Sequence, residues 1–312
     1  MNEKSENYCC PYCHKEMILK DGKLRCPGCN RNYPIRSGIP VFSEAGDAED
    51  LQEMAHLVSI LESRESAAVQ DRSALFRLPN RPFSLGRQYT ETKAFKGFFS
   101  RFSQLSGMRI LDISCGVGRE AHLLIKHGAR NVHLLDISYP AVAYAKKRFS
   151  ALYPEVKFQY CVSDACLLPF PDHFFDVVLV YASAHHYPDL GKFIQESSRV
   201  AEHICLISEP AEIRPFRGLM RLLKWNTEYG RLDTRRFNVS NVKACFKEAG
   251  MSYEVERMFQ YFPKAFDRLG NSKIFVALWF SFLKLLDIFF GRVIGHSLNI
   301  YASGKGSTRA SS

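Results

Sequence analysis

Two Cys-x-x-Cys pairs, Cys10-Pro-Tyr-Cys13 and Cys26-Pro-Gly-Cys29, stand twelve residues apart near the start of the chain. Each pair can close a tight turn that presents two sulfurs to one ion, and four thiolates together suit tetrahedral Zn(II). Two pairs at this spacing argue against a redox dithiol, and the neighbouring Cys9 and His14 are spare donors that the set does not need. The other scattered cysteines (Cys115, Cys161, Cys166, Cys205 and Cys245) read as small core residues. The first seven residues carry no apolar run of secretory type. The expectation is therefore a cytoplasmic, reducing setting in which metal or buried thiols take the place of disulfides.

A second concentration of chemistry begins at Ile110-Leu111-Asp112-Ile113-Ser114-Cys115-Gly116-Val117-Gly118-Arg119. Glycines after an apolar run let backbone approach a ligand where a side chain would clash, and a helix that follows offers free N–H groups. Such a turn alone does not name its ligand. Gly116-x-Gly118-x-x-Ala121 fits the dinucleotide fingerprint, and Asp136 lies 18 residues beyond Gly118, so a nicotinamide-dependent reductase has to be weighed. Against it stands Asp112, which could pair with an ammonium group that a dinucleotide lacks. Asp164, in Ser163-Asp164-Ala165, and the run Leu168-Pro169-Phe170-Pro171-Asp172-His173-Phe174-Phe175-Asp176 add two further features. Each acid also has a plain structural reading: Asp112 as a helix cap, Asp136 as a strand-end cap, Asp164 as a turn former. In Tyr181-Ala182-Ser183-Ala184-His185-His186, either histidine could take a proton from an acceptor hydroxyl or amine, or simply start a helix. Glu209 is a further site-edge acid that could face a substrate, and Tyr89 could fold over a cofactor, beside plain structural readings of both.

These residues need a scaffold that brings strand ends together. From residue 109 apolar strands alternate with helical runs: strands at 109–113, 132–136, 157–162, 176–181, 204–208, 253–259 and 296–303, helices at 119–127, 140–150, 193–200 and 239–249. That alternation makes a parallel sheet covered by helices on both faces, with ligands beyond the carboxyl ends of the strands. The expected fold class is α/β, a doubly wound, mostly parallel sheet with a small N-terminal zinc ribbon. Asp21-Gly22, between 17–20 and 23–25, predicts a hairpin in that ribbon. The expected domains are a ribbon at 1–43, a linker and helix at 44–87, a main domain at 88–303 and a disordered tail at 304–312. The main domain carries an arginine-rich substrate cover at 211–238 and an apolar helical insertion at 263–295.

With these motifs in place, the stretch from Arg109 to Pro210 resembles class I S-adenosylmethionine-dependent methyltransferases of the ubiquinone/menaquinone-biosynthesis-like, type 11 branch, with weaker echoes at 236–250 and 296–303. Tyr33-Pro34-Ile35 and Gly38-Ile39-Pro40-Val41-Phe42 are similar to the zinc domain fused ahead of some bacterial methyltransferases, and to the zinc-binding activator subunit of tRNA and protein methyltransferases. The resemblance implies a seven-stranded Rossmann-like sheet, an enzyme, and S-adenosylmethionine as cofactor beside Zn(II). By position it implies cofactor contacts from Asp112, Ser114, Gly116, Gly118, Asp136, Ile137, Asp164, Ala165 and Tyr181, with His186 and His185 as catalytic candidates. Family members usually carry glycine where Ser114 stands, so the turn departs from the pattern there.

Composition sets the remaining bounds. At 46% hydrophobic and 24% charged residues the chain is globular, which excludes disordered, collagenous and multi-span membrane classes. Of a net charge of +10, residues 211–312 hold +9, from 17 Lys/Arg against 8 Asp/Glu, so that third should meet any anionic partner. The arginines of 211–238 suit phosphate or carboxylate, or form a solvated helix face. Residues 274–290 are near the lower length limit for crossing a bilayer and include two charges, so they read as an in-plane interfacial helix or a packed one. The expected function is methyl transfer to a small-molecule or lipid-linked acceptor, with peripheral membrane contact through 274–290. One alternative is an rRNA or tRNA base methyltransferase that holds RNA with the ribbon and the basic C-terminal third. The other is a non-catalytic, partner-binding scaffold on the same fold, supported by Ser114 alone.

Overall fold

The structure is a computed structural model that describes residues 3–43, 48–64, 84–212, 236–260 and 264–304. Much of the linker at 44–87, most of the substrate cover at 211–238 and the tail beyond 304 lie outside the described residues. The chain divides into two compact units, the first comprising Met1–Arg81, Gln104–Leu179 and Lys192–His203, the second Pro82–Ser103, Val180–Gly191 and Ile204–Ser312.

In the first unit, β1 (Glu3–Cys9), β2 (Glu16–Lys20), β3 (Lys23–Arg25), β4 (Asn32–Arg36) and β5 (Ile39–Pro40) form an antiparallel sheet in chain order. The predicted hairpin joins β2 to β3: Asp21 and Gly22 take φ of 50° and 70°, the pair of positive values a two-residue type I′ turn requires. Met17, Leu24, Tyr33 and Ile39 are buried beneath these strands. The segment expected as linker and helix supplies α1 (Ala48–Arg64), whose Val58 and Leu61 pack with Val117 and Tyr144.

The larger sheet contains, among the described residues, β6 (Arg109–Ile113), β7 (Asn131–Asp136), β8 (Lys157–Val162), β9 (Phe175–Tyr181), β10 (Ala201–Pro210), β11 (Ser252–Met258) and β12 (Ser297–Ser303), in the order β11-β12-β10-β9-β6-β7-β8. The helices between them are α2 (Leu85–Arg101), ahead of β6, then α3 (Arg119–Lys126), α4 (Tyr139–Leu152), α5 (Leu190–Val200) and α6 (Val239–Glu248). β6 pairs in parallel with β7 and β7 with β8, whereas β11 and β12 are antiparallel. The central strands are buried along nearly their whole length, as a sheet covered on both faces requires. Strand order reverses beside β6, and open α/β sheets hold ligands beyond the carboxyl ends of strands at such a reversal. At the outer edge Val41 pairs in parallel with Val162 of β8, so the ribbon covers backbone that an unpaired edge would expose.

In the second unit, α7 (Lys273–Leu286) continues through a π turn (Asp287–Gly291) and a short helix, α8 (Arg292–Ile294), into β12. Val276 and Leu283 are buried, and Asp287 turns inward to take Lys93 Nζ at 2.5 Å and the Phe259 N–H at 2.6 Å. The opposite face is bare: Ile274 is 76% exposed and Phe289 72%, with Leu278, Phe282, Leu285 and Ile288 exposed between them. Among the described residues this is the helix long and apolar enough to cross a membrane.

Gly118 opens α3 with φ of 92°, and a Cβ there would run into the Phe149 ring of α4. Gly118→Ala is expected to destabilise the fold by about 2–4 kcal/mol, combining the left-handed penalty with overpacking. At Gly116, φ is 50° and the space around a Cβ is open, so alanine there costs only the backbone share, about 1 kcal/mol. Thermal unfolding of the two variants checks the order.

Candidate active site

β6, β7 and β8 end side by side, and the turns leaving them carry most of the expected cofactor residues, all within the first unit. The β6 turn is left-handed at Ser114 (φ 57°), Gly116 and Gly118. Ser114 therefore reproduces the backbone shape a glycine would take, at a cost of about 1–2 kcal/mol for a residue with a Cβ.

Asp136, at the end of β7, ties two turns together. Its Oδ2 accepts the Gly116 N–H at 2.8 Å and its Oδ1 the Ser138 N–H at 2.9 Å, while Ser138 caps α4. The capping reading of Asp136 is thus correct as geometry; the Ile137 N–H is a third donor to the carboxylate, which leaves one lone pair that a ribose hydroxyl could use. Ile137, half-buried, follows it. After β8, the Ser163 N–H donates to the Asp136 carbonyl and Asp164 Oδ1 accepts the Cys166 N–H at 2.8 Å, closing a turn over buried Ala165.

Asp112 is the anomaly of the site. It is 1% exposed; one carboxylate oxygen accepts the Ala121 N–H, in keeping with the capping reading, but Oδ2 has no partner among the described residues. Burial pushes its carboxyl well above the usual carboxylate range, and the charges of Glu120 and Asp136 push it further. Burial also raises Asp136, against the pull of the Ser138 and Gly116 N–H groups. Glu120, in the first turn of α3, is buried and paired with Arg119 at 2.5 Å. Sequence reasoning missed it, although an acid in the first turn of a helix opened by a glycine turn was a usable signal. Three carboxylates against one guanidinium oppose a pyrophosphate and favour a cation. The orphaned Asp112 oxygen fits an ammonium donor, and S-adenosylmethionine carries an ammonium and a sulfonium.

The remaining candidates lie in the second unit. Tyr181, at the end of β9, is half-buried and stacks on Phe95 of α2, with ring centroids 5.5 Å apart. Glu209 does not take the substrate-facing alternative: it is fully buried. Its Oε1 accepts the Ser183 and Ala184 N–H groups at 3.0 and 2.9 Å, and its Oε2 the His185 N–H at 3.3 Å and His185 Nδ1 at 2.8 Å. That last bond places the His185 proton on Nδ1 and leaves Nε2 as the basic nitrogen. His185 is buried, whereas His186 is exposed with its ring 4.0 Å from that of His185. Tyr89 packs on Phe280 of α7 at 5.6 Å.

At the ribbon, the sulfurs of Cys10, Cys13, Cys26 and Cys29 all lie within 4.8 Å of one another, with Cys10–Cys29 at 3.6 Å and Cys13–Cys26 at 3.3 Å. Four Zn–S bonds of about 2.3 Å in a tetrahedron place sulfurs about 3.8 Å apart, so the donor set fits Zn(II). The backbone N–H of Arg31 leads the effects that pull Cys29 down to about 6, whereas burial pushes Cys26 up to about 12, so a bound cation would have to supply the charge that holds both as thiolates. Cys9 and His14 stand outside the cluster, and burial pushes the Cys9 thiol up to about 11.

Residues 111–203 match the family model of a methyltransferase domain. The 2-methyl-6-phytyl-1,4-hydroquinone methyltransferase of Synechocystis sp. is 35% identical over 96 residues, covering 31% of this chain and 29% of that protein. A probable phthiotriol/phenolphthiotriol dimycocerosates methyltransferase of Mycobacterium ulcerans is 35% identical over 99 residues, covering 31% and 37%. The chain thus spans about a third of the length of these curated relatives. Among solved structures, the cyclase SpnF has a TM-score of 0.53 at 19% identity, covering 87% of this chain and 100% of that one. The doubly wound, Rossmann-like sheet expected from the sequence is the fold observed. A neighbour named as a cyclase is a reminder that the fold alone does not name the reaction.

Because the folded-state value of Asp112 is raised, charging it costs stability as pH climbs from the ordinary carboxylate range toward that value. Asp112→Asn is therefore expected to raise the unfolding midpoint at neutral pH by a few degrees, about 1 kcal/mol, and to flatten its pH dependence. Affinity for S-adenosylmethionine should fall roughly 10-fold or more, the worth of one charge-assisted hydrogen bond. Thermal unfolding across pH and calorimetric titration measure the two effects; an unchanged affinity would remove Asp112 from the site.

Proposed function

We propose that this chain transfers the methyl group of S-adenosylmethionine to a small-molecule or lipid-linked acceptor. The observation that carries the reading is the buried carboxylate wall behind the glycine turn, with the orphaned oxygen of Asp112 in it. Asp112, Asp136 and Asp164, with the backbone of Ser114, Gly116, Gly118, Ile137 and Ala165, hold the cofactor, and Tyr181 is assigned to it by resemblance. The cofactor supplies a methyl group on a sulfonium, open to in-line displacement. The protein's share is orientation and a polar environment, worth several kcal/mol of barrier. In the second unit His186, the exposed member of the pair, takes the acceptor's proton, and His185, locked by Glu209, holds the turn that presents it.

A lipid-linked acceptor is supported by the relatives named for a phytyl hydroquinone and for phthiotriol dimycocerosates. It is supported too by the bare face of α7. That helix has its inner side packed through Val276, Leu283 and the Lys93–Asp287 pair, so it lies along a surface rather than through a bilayer. Exposed Lys273, Lys284 and Arg292 border its apolar stripe and suit an anionic lipid surface. The proposed location is cytoplasmic with this peripheral contact. The RNA reading rests on the ribbon and the basic C-terminal third, and the apolar stripe weighs against it. The scaffold reading loses its one feature, because Ser114 keeps the glycine conformation.

Incubation with methyl-labelled S-adenosylmethionine and cell extract is expected to label a lipid or small-molecule fraction. His186→Ala is expected to lower turnover about 100-fold or more while leaving cofactor affinity unchanged. Label in RNA instead would favour the alternative, and full turnover in the variant would remove His186 from catalysis. In flotation with phosphatidylglycerol-containing vesicles the chain should rise with the lipid, and the double substitution Leu278→Glu, Phe282→Glu should leave it at the bottom. Wild type that stays with the soluble fraction contradicts the membrane contact.

A further inference from the structure

The turn that carries Asp164 is held at both ends by the ribbon. On its near side, the Val162 carbonyl accepts the Phe42 N–H at 2.8 Å beside the Val41–Val162 pairing. On its far side, the Pro169 carbonyl accepts the N–H of Cys9, the residue before the metal-cluster residue Cys10, at 3.0 Å. Between these anchors lie Ser163–Leu168, closed internally by the Cys166 N–H on Asp164 and by the Ser163 hydroxyl on the Leu167 carbonyl at 2.8 Å.

Aromatic side chains connect the anchors to the cysteines. Tyr8 donates to the Tyr160 carbonyl at 3.3 Å, and its ring lies 5.3 Å from Phe42 and 5.7 Å from Phe170. Phe42 in turn lies 5.1 Å from Tyr33, whose hydroxyl is 3.5 Å from Cys10 Sγ. From the other side Arg199 donates to the Leu168 and Phe170 carbonyls at 3.0 and 2.7 Å, and Glu196 accepts the Leu168 N–H at 3.1 Å. The turn therefore has a second support, from Glu196 and Arg199, that does not involve the ribbon.

Resting on the cofactor reading above, we propose that zinc in the ribbon sets the affinity of the S-adenosylmethionine site, the ribbon acting as a clamp on the Asp164 turn. The residues that transmit the effect are Cys9 and Phe42 through their backbone N–H groups and Tyr8 through its ring and hydroxyl. A module of about 40 residues buries too little to hold its shape without metal. Losing the metal frees both anchors, and the cofactor must then order the turn itself. Coupling of this kind is reciprocal: the factor by which zinc tightens the cofactor is the factor by which the cofactor tightens zinc.

The test uses the full zinc-loaded chain and S-adenosylhomocysteine as probe. Calorimetry on zinc-loaded and chelator-treated protein gives the first factor, and competition for zinc with a chromogenic chelator, with and without the probe, gives the second. Both are expected to lie between roughly 5- and 150-fold and to agree. Tyr8→Ala, which leaves the four cysteines in place, should retain one zinc per chain yet bind the probe more weakly, and Tyr8→Phe should recover most of the loss. Equal probe affinity with and without zinc, or zinc retention indifferent to a probe that binds, overturns the clamp alone. Should zinc removal unfold the whole chain, normal probe affinity in zinc-bearing Tyr8→Ala overturns it. A zinc-loaded chain that binds no probe overturns both the clamp and the cofactor reading.

Discussion

A buried carboxylate needs donors or a counter-charge, and the first unit is built around one whose need is only half met. Asp112 sits behind the glycine turn with Glu120 and Asp136 beside it, Arg119 as the nearby cation, and one oxygen unpartnered among the described residues. Proteins rarely leave such an oxygen bare, because the desolvation cost is not recovered. Its persistence here is intelligible if a cationic ligand completes it. Much of the surrounding structure then follows: left-handed residues keep the turn open, Asp136 ties the turn to the next strand, and α3 brings Glu120 to the wall.

Glu209 in the second unit shows the opposite solution. It is as deeply buried, yet four N–H donors surround its two oxygens, so it asks nothing of a ligand. Its effect is rigidity, fixing the turn after β9 and the tautomer of His185. Burial alone does not mark a site residue; the difference between a satisfied and an unsatisfied carboxylate does.

The larger sheet was legible in the alternation of apolar strands and helical runs, because a strand buried on both faces writes itself as a continuous apolar run. The acids in or just past the ends of the first three of those strands and the four clustered cysteines were legible too, since each sits at a fixed offset from a turn. What was not legible depends on rotation and packing. Glu209 points inward beside Ser208, a left-handed residue whose φ of 63° no strand pattern foretells. The exposure of His186 over His185 is set by a single 3-10 turn. Glu120 becomes part of the wall only once α3 is docked. In the ribbon one hairpin could be read, while β4 and β5 contain Pro34 and Pro40, residues that ordinarily argue against strands. The direction of Asp287, inward on a helix whose apolar side is bare, reverses the usual pattern and is settled by Lys93, nearly 200 positions away in the chain.

The central claim is that the glycine turn and its carboxylates form a receptor for a cation-bearing nucleoside. It is tested most directly by titrating the unmodified, zinc-loaded chain in a calorimeter with S-adenosylmethionine and, separately, with NADPH. The account predicts one S-adenosylmethionine bound per chain and no heat from the dinucleotide. Binding of NADPH without S-adenosylmethionine would contradict it.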